Sequence, residues 1–258
     1  MTRTLVARFL VDRPIRPGMV RAILDTLTAQ GGSYVPHLVR RSPGEGVRRI
    51  TGARPARLLE EVGEGGTQTT FMRVAEARPQ PVLTFSVSRN PRARPTEVAL
   101  GVPSTAIDSS EEIDRLLGVC KGLYLFLESF WGGVGLAVPA PGGRAGPLEK
   151  PTGDRDARPF LHWANFFGPE LVSTIGVARL LTSVAFIVEI LPDGGIMLVT
   201  HAAPSLAESP EGLAMRLDIE RGFGPDWISG PGRRLVSTAE TVSVSGVPGG
   251  RSHRRTTS

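Results

Sequence analysis

The residues best suited to chemistry in this sequence are dispersed. The four histidines, His37, His162, His201 and His253, lie far apart, and none stands at the short spacing that lets imidazoles converge on zinc or iron. A single cysteine, Cys120, excludes an intrachain disulfide and a four-thiolate metal site. It falls in a strongly apolar helical stretch, where a thiol acts as a small hydrophobe rather than a nucleophile. No serine occupies a Gly-x-Ser-x-Gly elbow. The neighbouring carboxylates Glu60 with Glu61 and Glu111 with Glu112 point apart on a helix, which suits solvated faces better than a coupled acid and base. The glycine-rich runs 63–66 and 132–135 lack the lysine of a phosphate-cradling loop. Glu170 occupies the positive end of the helix expected after Gly168, where an anion would otherwise sit. The sequence therefore predicts no catalytic residue, no metal site and no cofactor, and a binding protein rather than an enzyme.

One stretch is unusually dense. His162, Trp163, Ala164, Asn165, Phe166, Phe167, Gly168, Pro169 and Glu170 follow one another. Aromatic residues so clustered chiefly build cores, but an exposed Trp163 and the amide of Asn165 would make good anchors for a partner.

The elements that must position these residues read as an alternation of strands and helices. Leu5, Ala7, Phe9 and Val11 carry the two-residue period of a strand with one apolar face. After the breaker Pro14 to Gly18, Met19, Val20, Ile23, Leu24 and Leu27 recur at helical spacing until Gly31 and Gly32. A short strand over Tyr34 to Arg40 and a short helix over Pro55 to Val62 are expected next. Leu83, Phe85 and Val87 define a clear strand, joined through the turn-like Asn90 to Pro95 to Val98, Leu100 and Val102 in an antiparallel hairpin. Ser109 with Glu112 has the spacing of a reciprocal capping box. The helix it opens runs through Ile113, Leu116, Leu117, Cys120, Tyr124 and Leu127 toward Phe130 and Trp131, apolar on several sides in its second half. Val134, Leu136 and Val138 form a further strand. Beyond a loop rich in Gly, Pro and charge come a helix after Gly168, a hairpin of Val184 to Leu191 with Ile196 to Thr200 around Asp193, Gly194 and Gly195, and a helix over Pro210 to Arg221. The fold class expected is α+β, with antiparallel sheets packed against helices. One domain over 1–224 is predicted, with the alternative of two similar α/β halves, 1–140 and 159–224, joined by a loop at 141–158. A disordered basic tail is predicted over 225–258.

Composition sets the remaining bounds. With 258 residues, 40% hydrophobic and 21% charged, the chain can bury a large core. Its net charge of +5 divides into +2 over residues 1–224 and +3 over 225–258, so the body offers little to attract nucleic acid. No run approaches the roughly 18 apolar residues of a membrane span, and Arg3, Arg8 and Asp12 interrupt any signal-like stretch near the start. A cytoplasmic protein with no membrane partner is the expectation.

The run Trp163 to Val172, the pairs Ile175-Gly176 and Leu180-Leu181, and the turn Asp193-Gly194-Gly195 with its apolar return strand resemble the C-terminal half of bacterial immunity proteins. Such proteins belong to polymorphic-toxin and type VI secretion systems. The resemblance spans roughly residues 3 to 224, with its specific part between 163 and 200. It implies a non-catalytic inhibitor that binds and neutralises a cognate toxin protein, and Trp163, Asn165 and Glu170 are the partner-binding residues it suggests, with Gly168 in a structural role. The other reading the sequence supports is a general protein-interaction or structural subunit without enzymatic activity.

Overall fold

In a computed structural model of the chain, the structure describes residues 3–13, 15–31, 34–40, 46–50, 68–75, 78–86, 96–107, 109–137 and 161–224. The first strand, β1 (Thr4–Val11), buries Leu5, Ala7, Phe9 and Val11 along one face, as its alternation requires. It pairs antiparallel with two strands at once, β6 (Thr96–Pro103) and β7 (Trp131–Leu136), and so lies inside the sheet. The other strands are β2 (Leu38–Arg40), β3 (Arg48–Arg49), β4 (Gln68–Ala75), β5 (Arg78–Ser86), β8 (Ala164–Phe167), β9 (Ile187–Ile190) and β10 (Ile196–Val199). Together they make one ten-stranded sheet in the order β3-β2-β4-β5-β6-β1-β7-β8-β10-β9, every pairing antiparallel. The fold is α+β. A single sheet runs through both of the stretches that could have been separate halves; the loop at 141–158, the helix expected over Pro55 to Val62 and the tail from 225 lie outside the described residues.

Helices α1 (Pro17–Gln30) and α2 (Ser110–Leu127) cover one face of the sheet. Val20, Ile23, Leu24 and Leu27 of α1, and Leu116, Leu117, Cys120, Leu123, Tyr124 and Leu127 of α2, join the inward residues of β1, β5, β6 and β7 in the main core. The other face is covered at the β7–β9 end by α3 (Pro169–Ile175), α4 (Val177–Leu181) and α5 (Pro210–Gly222), which enclose Leu10, Trp131, Phe167, Ile196, Leu198, Ile219 and Phe223. Cover on both faces explains why β10 reads Ile-Met-Leu-Val without alternation.

Three expectations are corrected. Helix α2 does not continue toward Trp131: Glu128 takes a left-handed conformation (φ 49°) that ends it, and Trp131 opens β7. Nor is its second half enclosed on several sides, since Gly118, Gly122 and Phe126 remain exposed. The capping box is half formed. Ser109 accepts from the Glu112 N–H at 3.2 Å, but the Glu112 carboxylate pairs with Arg115 in the next turn.

Candidate functional site

The segment Trp163 to Glu170 is assembled by β8 at the junction of the two cores, where both strand faces are covered. Trp163 is 2% exposed. Its indole N–H donates to the His201 carbonyl at 2.8 Å, and its own carbonyl accepts the N–H and hydroxyl of Thr200 at 2.8 and 3.1 Å. Asn165 is fully buried and closes the turn before it: its amide oxygen accepts from the His162 N–H at 2.8 Å and its amide nitrogen donates to the His162 carbonyl at 2.9 Å. These two side chains, suggested as partner anchors, thus face the interior and fix the path of the chain. Glu170 is exposed in the first turn of α3. Gly168 admits the close approach of the Phe130 backbone: a Cβ there would lie 2.7 Å from the Phe130 carbonyl oxygen, to which the Gly168 N–H donates at 2.9 Å.

Beside this segment, on the face of the sheet away from α1 and α2, lies a polar cluster that sequence reading missed because its members come from three strands and the turn before β8. Arg8 of β1 stands between Ala99 of β6 and Gly133 of β7, and Gly133 in turn stands beside Asn165 of β8. Arg8 is 3% exposed and its Nε lies 3.1 Å from the Glu97 carboxylate. Burial lowers the Arg8 pKa from its usual value and Glu97 opposes that shift. His162 packs over Gly133 and against Trp131, the two rings 5.7 Å apart. Burial, reinforced by the charges of Arg8 and Arg216, pushes its pKa down to about 3, so it is a neutral ring at physiological pH. The cluster joins the sheet's middle strands by charge and packing. Among the described residues, no three of His, Cys, Asp and Glu gather as metal ligands.

The hairpin of β9 and β10 is tied to α2 from two sides. Tyr124 donates its hydroxyl to Asp193 at 2.9 Å, and the other oxygen of that carboxylate accepts from the Gly195 N–H, also at 2.9 Å. Lys121 reaches both oxygens of Glu189 at 2.9 and 3.0 Å. Gly194 supplies the positive φ of 84° that the turn requires.

The chain leading into this hairpin exposes a run of apolar residues. Val177 and Leu181 on α4, then Val184, Phe186 and Ile190, are all exposed, the last three at 65%, 60% and 60%. They lie within one short span of chain that ends in β9, an edge strand of the sheet among the described residues. Single exposed apolar residues are ordinary, but a run of them beside an open strand edge is the composition of a contact surface. The strand expected over Val184 to Leu191 forms only over Ile187–Ile190, which leaves Val184 and Phe186 on the approach to it.

No family model and no curated protein matches this sequence. Among solved structures, the Pseudomonas aeruginosa T6SS protein PA0821 shares the fold, with a TM-score of 0.61 over 86% of this chain and 72% of its own and with 13% sequence identity. At that identity the likeness concerns architecture. Among the described residues no helix is long and apolar enough to cross a membrane.

Proposed function

We propose that this chain is a non-catalytic immunity protein of a type VI secretion or related polymorphic-toxin system, which binds a cognate toxin protein and neutralises it by occlusion. The observation that carries this reading is the exposed apolar run Val177, Leu181, Val184, Phe186 and Ile190 at the β9 edge. Backing at one end suits it to binding: Tyr124 and Lys121 hold the hairpin that carries Ile190 against α2, so little freedom is lost there when a partner docks. The similarity of fold to a T6SS protein supports the setting, as does the resemblance of Trp163 to Val172 and Asp193 to Gly195 to immunity proteins. In this reading Trp163 and Asn165 build the scaffold, Glu170 faces the partner, and the anchors are Phe186, Ile190 and Val184.

Co-expression tests the proposal. The folded protein should rescue cells from a toxin encoded beside it and form a one-to-one complex with that toxin. Phe186→Asp with Ile190→Asp should weaken that complex by about 2 kcal/mol or more and abolish rescue while leaving the fold intact. Absence of rescue by wild-type protein in excess would refute neutralisation. Stable binding to a component of the secretion apparatus instead would favour a structural subunit.

A further inference from the structure

The opposite end of the sheet differs in kind from the β9 end. There β3, β2, β4 and β5 carry Arg48, Arg49, Arg40, Arg73 and Arg78, while the described residues 34–40, 46–50, 68–75 and 78–86 include no Asp or Glu. Arg48 and Arg49 are exposed, Arg40 and Arg73 half-buried, and none of these four makes an ion pair among the described residues. Strand β3 is the edge of the sheet among the described residues. The register sets the geometry: Arg49 stands opposite Leu38 and Arg48 opposite Val39, and Val39 is buried in the core on the α1 and α2 side. Arg48 therefore projects toward that side. Arg49 and Arg40 share the other, as diagonal neighbours roughly 7–8 Å apart.

We infer that the β3 edge is a docking site for an acidic polypeptide segment in extended conformation, which adds to the sheet through its backbone and pairs its carboxylates with Arg48, Arg49 and Arg40. Charge complementarity fixes the sign of the occupant, and the edge strand fixes its conformation, because the outward backbone groups of a strand are matched by another strand. The same geometry argues against nucleic acid. The arginines alternate across the two faces of the pleat rather than lining one groove, and the aromatic residues of this end, Tyr34, Phe71 and Phe85, are buried and cannot stack on bases. This site is separate from the β9 edge and does not depend on the toxin reading.

The test uses the full chain and a ten-residue peptide of alternating Glu and Thr, its Gln-for-Glu counterpart, and a single-stranded oligonucleotide of equal charge, with binding measured by fluorescence anisotropy. The acidic peptide should bind at least about tenfold more tightly than the Gln peptide and the oligonucleotide, and weaken several-fold between 50 and 300 mM salt, roughly as charge screening dictates. R48E/R49E, whose positions are both exposed, should lose about tenfold or more in affinity with unchanged circular dichroism, whereas R16E, at an exposed arginine just before α1 and outside the β3 edge, should bind as wild type. Equal binding of the Glu and Gln peptides, tighter binding of the oligonucleotide, or an unaffected R48E/R49E would overturn the assignment and leave these arginines as charges that merely keep the edge from pairing.

Discussion

Replacing Trp163 with Ala separates a scaffold role from a contact role. The indole is 2% exposed, belongs to the core shared by α2, β8 and β10, and satisfies the His201 carbonyl at 2.8 Å. Removing so large a buried side chain costs the transfer energy of its atoms and leaves a cavity, together about 3–5 kcal/mol. The freed His201 carbonyl lies in a part-buried setting, so its loss adds at most a fraction of the roughly 1–3 kcal/mol of an unsatisfied buried group. For a domain of this size each kcal/mol lowers the melting temperature by roughly 2–4 °C, so a drop on the order of 10 °C is expected. Equilibrium urea unfolding should show a lower midpoint with an unchanged slope. Trp163→Phe, which fills most of the volume but donates nothing, should fall between the two. Partner affinity, measured on the fraction still folded, should stay within about twofold of wild type, since the ring cannot reach a partner from the interior. A Trp163→Ala protein as stable as wild type, to within about 0.5 kcal/mol, but with binding lost, would refute the placement of this ring in the core.

Further outcomes follow from the same structure. Because the His162 pKa lies near 3 in the fold against about 6.5 unfolded, the unfolded state takes up a proton first as pH falls, so this residue's contribution is intact above pH 6.5 and is lost on the way down to about pH 3 at up to about 1.4 kcal/mol per unit. Between pH 7 and 5 wild type should lose up to about 2 kcal/mol that His162→Gln does not lose, read from urea midpoints at each pH. Gly168→Ala should destabilise by about 1–3 kcal/mol, since its Cβ would meet backbone atoms of Phe130 that cannot rotate away; thermal melts measure it. Tyr124→Phe should cost about 1 kcal/mol through the lost bond to Asp193 and should loosen the β9–β10 turn, visible as faster amide exchange at Gly195. Cys120, fully buried with its thiol pKa raised by burial, should resist a water-soluble thiol reagent in the native state and react on unfolding.

Strong local periodicity makes some elements legible in the sequence alone. β1, α1 and the β5–β6 hairpin follow from alternation or helical spacing, and the turn at Asp193 to Gly195 follows from residues that tolerate positive φ. What escapes such reading has a different origin. Strand β4 buries Thr69, Thr70, Phe71 and Met72 in succession, so its sequence shows no apolar alternation, and its register shift with β5, which leaves Val82 of β5 without an opposite residue, has no trace in β4 itself. The end of α2 depends on Glu128 adopting a left-handed conformation, which no residue preference there announces. The polar cluster of Arg8, Glu97, His162 and Asn165 depends on cross-strand register, which brings together positions far apart in sequence. Arg8 reads as an interruption in an apolar strand; the register makes it a buried partner of Glu97.

The same reasoning explains why the most recognisable stretch of this chain is not the surface it offers. Trp163 to Val172 is dense in aromatic residues because β8 is covered on both faces and must pack Phe166 into one core and Phe167 into the other. Residues so constrained are bound to the scaffold, and a resemblance carried by them speaks to architecture. A contact surface has no such constraint: Val184, Phe186 and Ile190 are exposed beside an edge strand, where packing inside the molecule does not demand a large apolar side chain. Hydrophobic residues that the fold does not require are the ones whose presence points outward to a partner. The arginines of the β3 edge fit the same criterion with the opposite chemistry, charged where the interior demands nothing. If both proposals hold, the two ends of one sheet present different recognition surfaces, and a substitution at either end should alter binding without the stability loss expected at Trp163.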